Sequence, residues 1–435
     1  MNIKKSSQHF LKLLNTDPTK PLVGKKVFLS FSGGRTSGYQ TEKLLSGGLH
    51  LRNEVVVLFA NTGWEHPKTL KFVNECEKRW KVLYGVDVVW LEAVVHHNVR
   101  KANTHKVVTF ETASRNLEPF EESVKKFGIP NNGYPWCTRD LKENPIRDYL
   151  VTVKGWKKGD YYTLLGMRSD EIQRVIGQVV VNFGKKYSIS TNHLLKIRET
   201  MYKYRSHPTT IQAVLSGMSD IKKVIVSVSP SASLECAYGR IISTPQTKVK
   251  KIKAVTMSDS YRIVMSRFIR RYFKSIGLTN YSQKDFNTFI DRLLNINDKQ
   301  NKCYPLVDWF PHQPDKLAIL DWWEEMPFDL EIEEWQGNCY GCYKKSSKKL
   351  LKAIRDDEAL FTNTLELDYG HIGNNRIKGE LVDEPRTLYR ESMTCQGMIA
   401  LFKQTPLEYL KDRYEESEVE DSGCSSSCEA FGGDD

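Results

Sequence analysis

The chain has 435 residues, 40% of them hydrophobic and 27% charged, with a formal net charge of +11. The composition is that of a globular protein, the length suffices for two domains or one domain with a large insertion, and the charge points to an anionic partner without separating nucleotide from nucleic acid. No apolar run reaches the ~18 residues of a membrane span, and Met1-Asn2-Ile3-Lys4-Lys5 has charge but no apolar signal core after it, so a cytoplasmic protein with no membrane partner is expected. Nine cysteines in this length are not a small disulfide scaffold, but two of them stand as Cys-x-x-Cys, which in a reducing compartment points to metal or redox chemistry.

Residues 1–24 read as a short N-terminal helix over 9–14 and a turn at Asp17-Pro18. The stretch that organises the chain follows: an apolar run through Ser30 enters Ser32-Gly33-Gly34-Arg35-Thr36-Ser37 and then a helical pattern as far as Leu45. In this strand, glycine loop and helix, two glycines let the backbone approach a ligand, and the amides of the loop and first helical turn converge on an anion. Glu54-Val55-Val56-Val57-Leu58-Phe59-Ala60 reads as a buried parallel strand ending in Asn61-Thr62-Gly63-Trp64-Glu65. Helical spacing through Leu70, Val73 and Cys76 and a further strand over 86–91 complete a βαβαβ pattern, the signature of an α/β doubly wound, mostly parallel sheet whose ligands sit at the carboxyl ends of the strands. Residues 96–133 read as an irregular, polar cover containing His96-His97 and His105. In Trp136-Cys137-Thr138-Arg139-Asp140-Leu141-Lys142, Arg139 and Lys142 are expected on one helix face, able to hold phosphate or sulfate, and Cys137 is a thiol or metal-ligand candidate. A fourth strand leads into Gly166-Met167-Arg168-Ser169-Asp170-Glu171. Here Arg168 would neutralise phosphate charge, and Asp170 or Glu171 would hold magnesium or orient Arg168 and Arg174.

Residues 177–300 carry 21 Lys and Arg against 7 Asp and Glu, an excess of 14 that exceeds the net charge of the whole chain. Lys248, Lys250, Lys251 and Lys253 form one cluster, and Arg262, Arg267, Arg270, Arg271 and Lys274 lie on an expected amphipathic helix with Val264, Phe268 and Arg271 on one face. Such a segment suits nucleic-acid backbone contact or a solvated helical domain. Farther on, Cys339-Tyr340-Gly341-Cys342 precedes two lysines. Two thiolates at this spacing reach one metal or one iron–sulfur cluster, with zinc or a redox dithiol as alternatives. The acidic tail over 406–435 carries Cys424 and Cys428.

Five of these stretches, in order, resemble the PAPS reductase-like family of the PP-loop ATP pyrophosphatase (adenine nucleotide alpha-hydrolase) superfamily. Ser32-Gly33-Gly34-Arg35-Thr36-Ser37 is similar to its Ser-Gly-Gly-x-Asp-Ser loop, with Thr36 at the place of the Asp. Phe59-Ala60-Asn61-Thr62-Gly63-Trp64 is similar to a Val-Asp-Thr-Gly-Trp segment, Cys137 to Pro145 to Cys-x-x-Arg-Lys-x-x-Pro, and Gly166 to Glu171 to Gly-x-Arg-x-Asp-Glu; Cys-x-x-Cys closes the set. The resemblance implies an adenine nucleotide alpha-hydrolase-like fold over 25–176, a basic insertion over 177–302 and core completion with helical segments over 303–405. It implies ATP or a PAPS-like nucleotide held by Ser30, Ser32 to Ser37, Asn61, Thr62, Gly63, Gly166, Asp170 and Glu171, with magnesium, and Arg139, Lys142 and Arg168 stabilising anionic charge. It also implies a [4Fe-4S] cluster on Cys137, Cys339 and Cys342. The chemistry would be ATP-dependent thiolation, served by a cysteine desulfurase, or sulfonucleotide reduction, in which a tail thiol such as Cys428 attacks sulfur and a thioredoxin-like partner restores it. A catalytically silent nucleic-acid-binding protein on the same scaffold is the alternative from another class.

Overall fold

The computed structural model describes residues 22–98, 100–131, 134–205, 266, 269–298, 301–310, 313–337, 339–362, 376–377, 380–381 and 387–410. The expected helix over 9–14, the lysine cluster at 248–253, Arg262, Arg267 and the tail with Cys424 and Cys428 lie outside them. The chain divides into two compact units. One holds Leu22–Asp170 and the described residues from Cys303 onward, and the other the described residues of Glu171–Lys302.

The first unit is built on a six-stranded sheet: β1 (Lys26–Ser30), β2 (Glu54–Asn61), β3 (Val88–Val94), β4 (Thr104–Val108), β5 (Tyr161–Leu164) and the short β6 (Lys302–Cys303), in spatial order β4-β3-β2-β1-β5-β6. β1 runs parallel to β2, with Leu29 opposite Val57, and parallel to β5, with Leu29 also opposite Leu164. Val27, Phe28, Leu29 and Val57 are completely buried, as continuous apolar runs in a sheet covered on both faces must be. The helices of this layer are α1 (Arg35–Ser46), α2 (Pro67–Tyr84), α3 (Glu118–Phe127) and α4 (Asn144–Thr152). Local chemistry sets the ends of α2: His66 Nδ1 accepts from the Lys68 amide, Pro67 takes a first-turn position, and Gly85 closes the helix at φ 68° with its amide on the Lys81 carbonyl.

From β1 the chain steps outward to β2 and β3 and later returns to the other side of β1 as β5. The direction of strand addition therefore reverses between β1 and β5, and the carboxyl ends of such a pair flank the crevice in which sheets of this kind bind ligands.

The cover expected to be irregular over 96–133 contains β4, antiparallel to β3 with Trp90 opposite Val108, and α3. β4 was illegible because it is an edge strand whose Lys106 and Val107 are exposed, so no inward apolar alternation marks it.

In the second unit the described residues are largely helical, with α5 (Gln178–Lys186), α6 (Thr191–Arg205) and α7 (Gln283–Asp298). Phe183, Phe273, Phe286 and Phe289 form its aromatic core, with Phe183 and Phe289 ring centres 4.5 Å apart. On the expected basic helix the inward face carries Ile269 and Phe273 while Arg271 is exposed, and Arg270 lies 3.9 Å over the Phe286 ring.

The first unit is completed by α8 (Lys316–Glu324), α9 (Ser347–Asp356) and α10 (Cys395–Gln404). No helix among the described residues is long and apolar enough to cross a membrane.

Candidate functional site

The loop after β1 is shaped by steric necessity at Gly33. Its φ is 78°, and a Cβ there would meet Thr69, Val73 and Phe59 at 2.9, 3.0 and 3.1 Å. The chain then enters α1 at Gly34 with no side chain capping the helix and no acid in its first turn. Among the described residues no acceptor meets the Arg35 and Thr36 amides, which leaves the positive end of the helix open. Ser37 braces the loop: its hydroxyl accepts from the Ser32 amide at 3.2 Å and donates to the Gly34 carbonyl at 3.1 Å. A hydroxyl has one proton, so at the 2.9 Å contact between the two side chains Ser32 is the donor.

The loop after β5 closes on this one. A Cβ on Gly166 would stand 2.9 Å from the Ser37 Cα, so only glycine permits the approach. Beyond it, Arg168 donates to the Thr36 hydroxyl at 3.2 Å and to the Asp170 carboxylate, leaving its guanidinium at the mouth of the glycine loop. Ser30, at the end of β1, is buried behind it. Glu171 belongs to the second unit and pairs with Arg174.

The Arg35 side chain is held by a distant segment. Its Nε and Nη2 grip the Asp329 carboxylate at 2.7 and 2.6 Å, and its Nη1 reaches the Ile332 carbonyl at 3.3 Å. Burial alone would raise the Asp329 carboxyl, but Arg35 and the Leu330 and Glu331 amides hold it below its ordinary range.

At the end of β2 the polar groups turn inward. Asn61 is fully buried: its amide donates to Glu92 at 2.7 Å and to the Ser114 carbonyl at 2.8 Å, and its Oδ1 accepts from the Gly63 amide. Gly63 has φ 78° and lies against Pro119. The Thr62 hydroxyl accepts from the Trp64 amide at 3.3 Å and donates to Glu65 at 3.2 Å, so the Cys339 thiol, 3.4 Å away, must donate to it. Backbone pairing of Glu65 with Cys339, and the Tyr340 amide on the Trp64 carbonyl at 2.9 Å, fix the Cys-x-x-Cys segment to this strand end. Gly341 permits it, since a Cβ there would stand 2.4 Å from the Trp64 ring.

Arg139 and Lys142 do not share a face. Thr138–Glu143 forms a π-helical turn, whose wider winding separates residues that an α-helix would stack. Arg139, half exposed, turns to Asp140, and Lys142, buried, points to Glu65 at 3.6 Å.

Cys137 packs against an apolar cluster that contains Cys339, Cys342 and the fully buried Cys395. Among the described residues no three His, Cys, Asp or Glu side chains form a group that could hold a metal ion. The thiols therefore share a compartment without presenting a ready ligand set.

The sequence reading missed Glu92 and Asp329. Their partners lie 31 and 294 positions away respectively, and no local pattern marks such residues.

No family model matches the chain, and no solved structure matches it. It is 35% identical over 150 residues to the uncharacterized nin region protein ORF290 of Escherichia phage lambda, a match covering 34% of this chain and 49% of the phage protein. It is 27% identical over 128 residues to the uncharacterized protein MJ0066 of Methanocaldococcus jannaschii, and 29% identical over 142 residues to the uncharacterized protein MJ0973 of the same archaeon. These matches cover 29% and 33% of this chain and 20% and 26% of the archaeal proteins. The chain thus spans about half the length of the phage relative and about a quarter or less of the archaeal ones, and is similar to each over roughly a third of its own length.

Proposed function

We propose that the first unit is a PAPS reductase-like PP-loop enzyme with an adenine nucleotide alpha-hydrolase-like fold, which binds ATP at the β1–β5 crevice and uses it in sulfur transfer. One observation carries the reading: an uncapped helix start with open amides at Arg35 and Thr36 faces the Arg168 guanidinium at the reversal point of a parallel sheet. Phosphate oxygens would accept from those amides, with Ser32 and Thr36 adding hydroxyls, and Arg168 would offset the charge that develops as pyrophosphate leaves. Magnesium, which neutralises phosphate charge in many such reactions, would have Asp170 as its carboxylate. Asn61 and Gly63 shape the neighbouring wall through backbone and buried contacts. ATP would adenylate an oxygen of the substrate with loss of pyrophosphate, and sulfur would then replace the adenylated oxygen with loss of AMP.

The Cys339 thiol contacts Thr62 at the carboxyl end of β2, the strand beside β1, so a sulfur-bearing group would stand near the expected nucleotide. A [4Fe-4S] cluster or zinc on Cys137, Cys339 and Cys342 rests on the sequence resemblance and the Cys-x-x-Cys spacing; among the described residues the thiols as placed do not form such a ligand set, and no step is routed through a metal. A cysteine desulfurase would supply the sulfur, and the exposed Lys185, Lys196, Arg271, Lys274 and Lys284 of the second unit are the described groups that would meet a nucleic-acid substrate.

The test is anaerobic purification with metal and sulfide analysis, followed by incubation of one sample with ATP and another with PAPS. Pyrophosphate release from ATP supports this reading. Sulfite release from PAPS replaces it with sulfonucleotide reduction, which calls on a thioredoxin-like reductant and a thiol such as Cys428. Binding of neither nucleotide leaves a catalytically silent nucleic-acid-binding protein.

A further inference from the structure

Arg35 opens the helix whose first amides face the crevice, yet its side chain is drawn to a segment almost 300 positions away. That segment, 326–333, runs between α8 and the 3₁₀ turn that precedes Cys339, and it is tied down at several points. Arg35 grips Asp329 through two nitrogens and touches the Ile332 carbonyl, and Lys68 donates to the Glu331 carbonyl at 2.9 Å. At its head, the Trp323 indole donates to the Arg35 carbonyl at 2.9 Å. Glu331 holds φ 52°, a left-handed backbone that a side chain of this kind resists unless surrounding contacts impose it. The Arg35 and Asp329 side chains are 22% and 30% exposed, so the pair can exchange partners with an incoming anion.

We propose that Asp329 is a positioning residue that competes with nucleotide phosphate for Arg35. The guanidinium is held by Asp329 before ATP arrives and turns to the phosphates when it binds, freeing the 326–333 segment. The inference rests on the nucleotide reading above. Its physical content is a reduction of apparent affinity by the fraction of molecules in which Arg35 is available. A two-point, partly exposed pair of this kind sets that fraction near one third to one tenth.

The experiment is calorimetric titration of the full chain with ATP, and separately with inorganic pyrophosphate, at low salt. Asp329→Asn removes the charge with almost no change of shape, and Asp329→Ala serves as a second variant. Both are expected to bind about threefold to tenfold tighter than the wild type. In an Arg35→Ala background, Asp329→Asn is expected to change nothing, because the acid acts only through Arg35. Lys68→Gln loosens the same segment without touching Arg35 and is expected to leave affinity unchanged. A merely structural ion pair gives the opposite pattern: a lower thermal midpoint with equal or weaker binding in the Asp329 variants. That result, with measurable wild-type binding, overturns the inference alone. If the wild type binds neither ATP nor pyrophosphate, the nucleotide reading fails and the inference falls with it.

Discussion

The loops that follow β1 and β2 occupy equivalent places, at the carboxyl ends of two paired parallel strands, and they use their polar groups in opposite ways. After β1, the Arg35 and Thr36 amides meet no acceptor among the described residues, and Ser32, Ser37 and Arg168 shape and border an open helix start. After β2, Asn61, Thr62 and Glu65 all have buried partners, and they join the strand end to Glu92, Cys339 and Lys142. On the proposed reading the first loop receives an anion, while the second fixes distant segments around it. Sequence resemblance assigned nucleotide contact to both; among the described residues the open amides lie in the first and the bonded polar groups in the second.

The largest effect that would sharpen this contrast is expected at Glu92, which is fully buried and meets Asn61, the Ser114 amide and hydroxyl, and Lys106 at 2.9 Å. Glu92→Ala leaves these groups without their acceptor and should lower stability by about 3 kcal/mol, measured by denaturant unfolding. A loss below ~1 kcal/mol would show that the β2 end is not braced from within. In the binding loop the balance reverses. Gly166→Ala forces a Cβ against the Ser37 backbone, so ATP affinity should fall at least about tenfold while stability falls by ~1–2 kcal/mol. Unchanged affinity would mean that the β1 and β5 loops do not act on one ligand.

The smallest expected effect is a dependence on pH at the start of α2. Burial and the neighbouring Lys68 charge lower the His66 pKa, and its Nδ1 must be unprotonated to accept from the Lys68 amide. The folded state therefore binds the proton less well than the unfolded chain. This contribution is complete above the unfolded value near 6.5 and is lost as pH falls from there toward the lowered folded value, about 1 kcal/mol in all. His66→Asn keeps the cap without the titration and should flatten that part of the stability profile. If the profile is the same in both proteins, His66 is not its source.

Much of the scaffold was legible in the sequence because its signals are local. The apolar runs of β1 and β2, the glycines of the first loop and the strand-to-glycine step at Gly166 each announce a strand end within a few residues. What was not legible depends on distant partners or on backbone detail. The partners that hold two of the site residues were not legible: nothing near Arg35 reveals Asp329, and Asn61 meets Glu92 on another strand. Arg139 and Lys142 looked adjacent because an α-helical repeat was assumed where the chain winds as a π-helix. The convergence of Cys339 on Thr62 follows from packing of segments 277 positions apart, which spacing alone could not show.

The central claim is that ATP binds at the β1–β5 crevice, and the most direct measurement is an ATP titration of the wild type beside Arg168→Ala. The account predicts saturable one-to-one binding by the wild type and a loss of about tenfold or more without the guanidinium that borders the glycine loop. Equal affinity in the two proteins would contradict it, and absence of binding in both would remove the nucleotide from the site altogether.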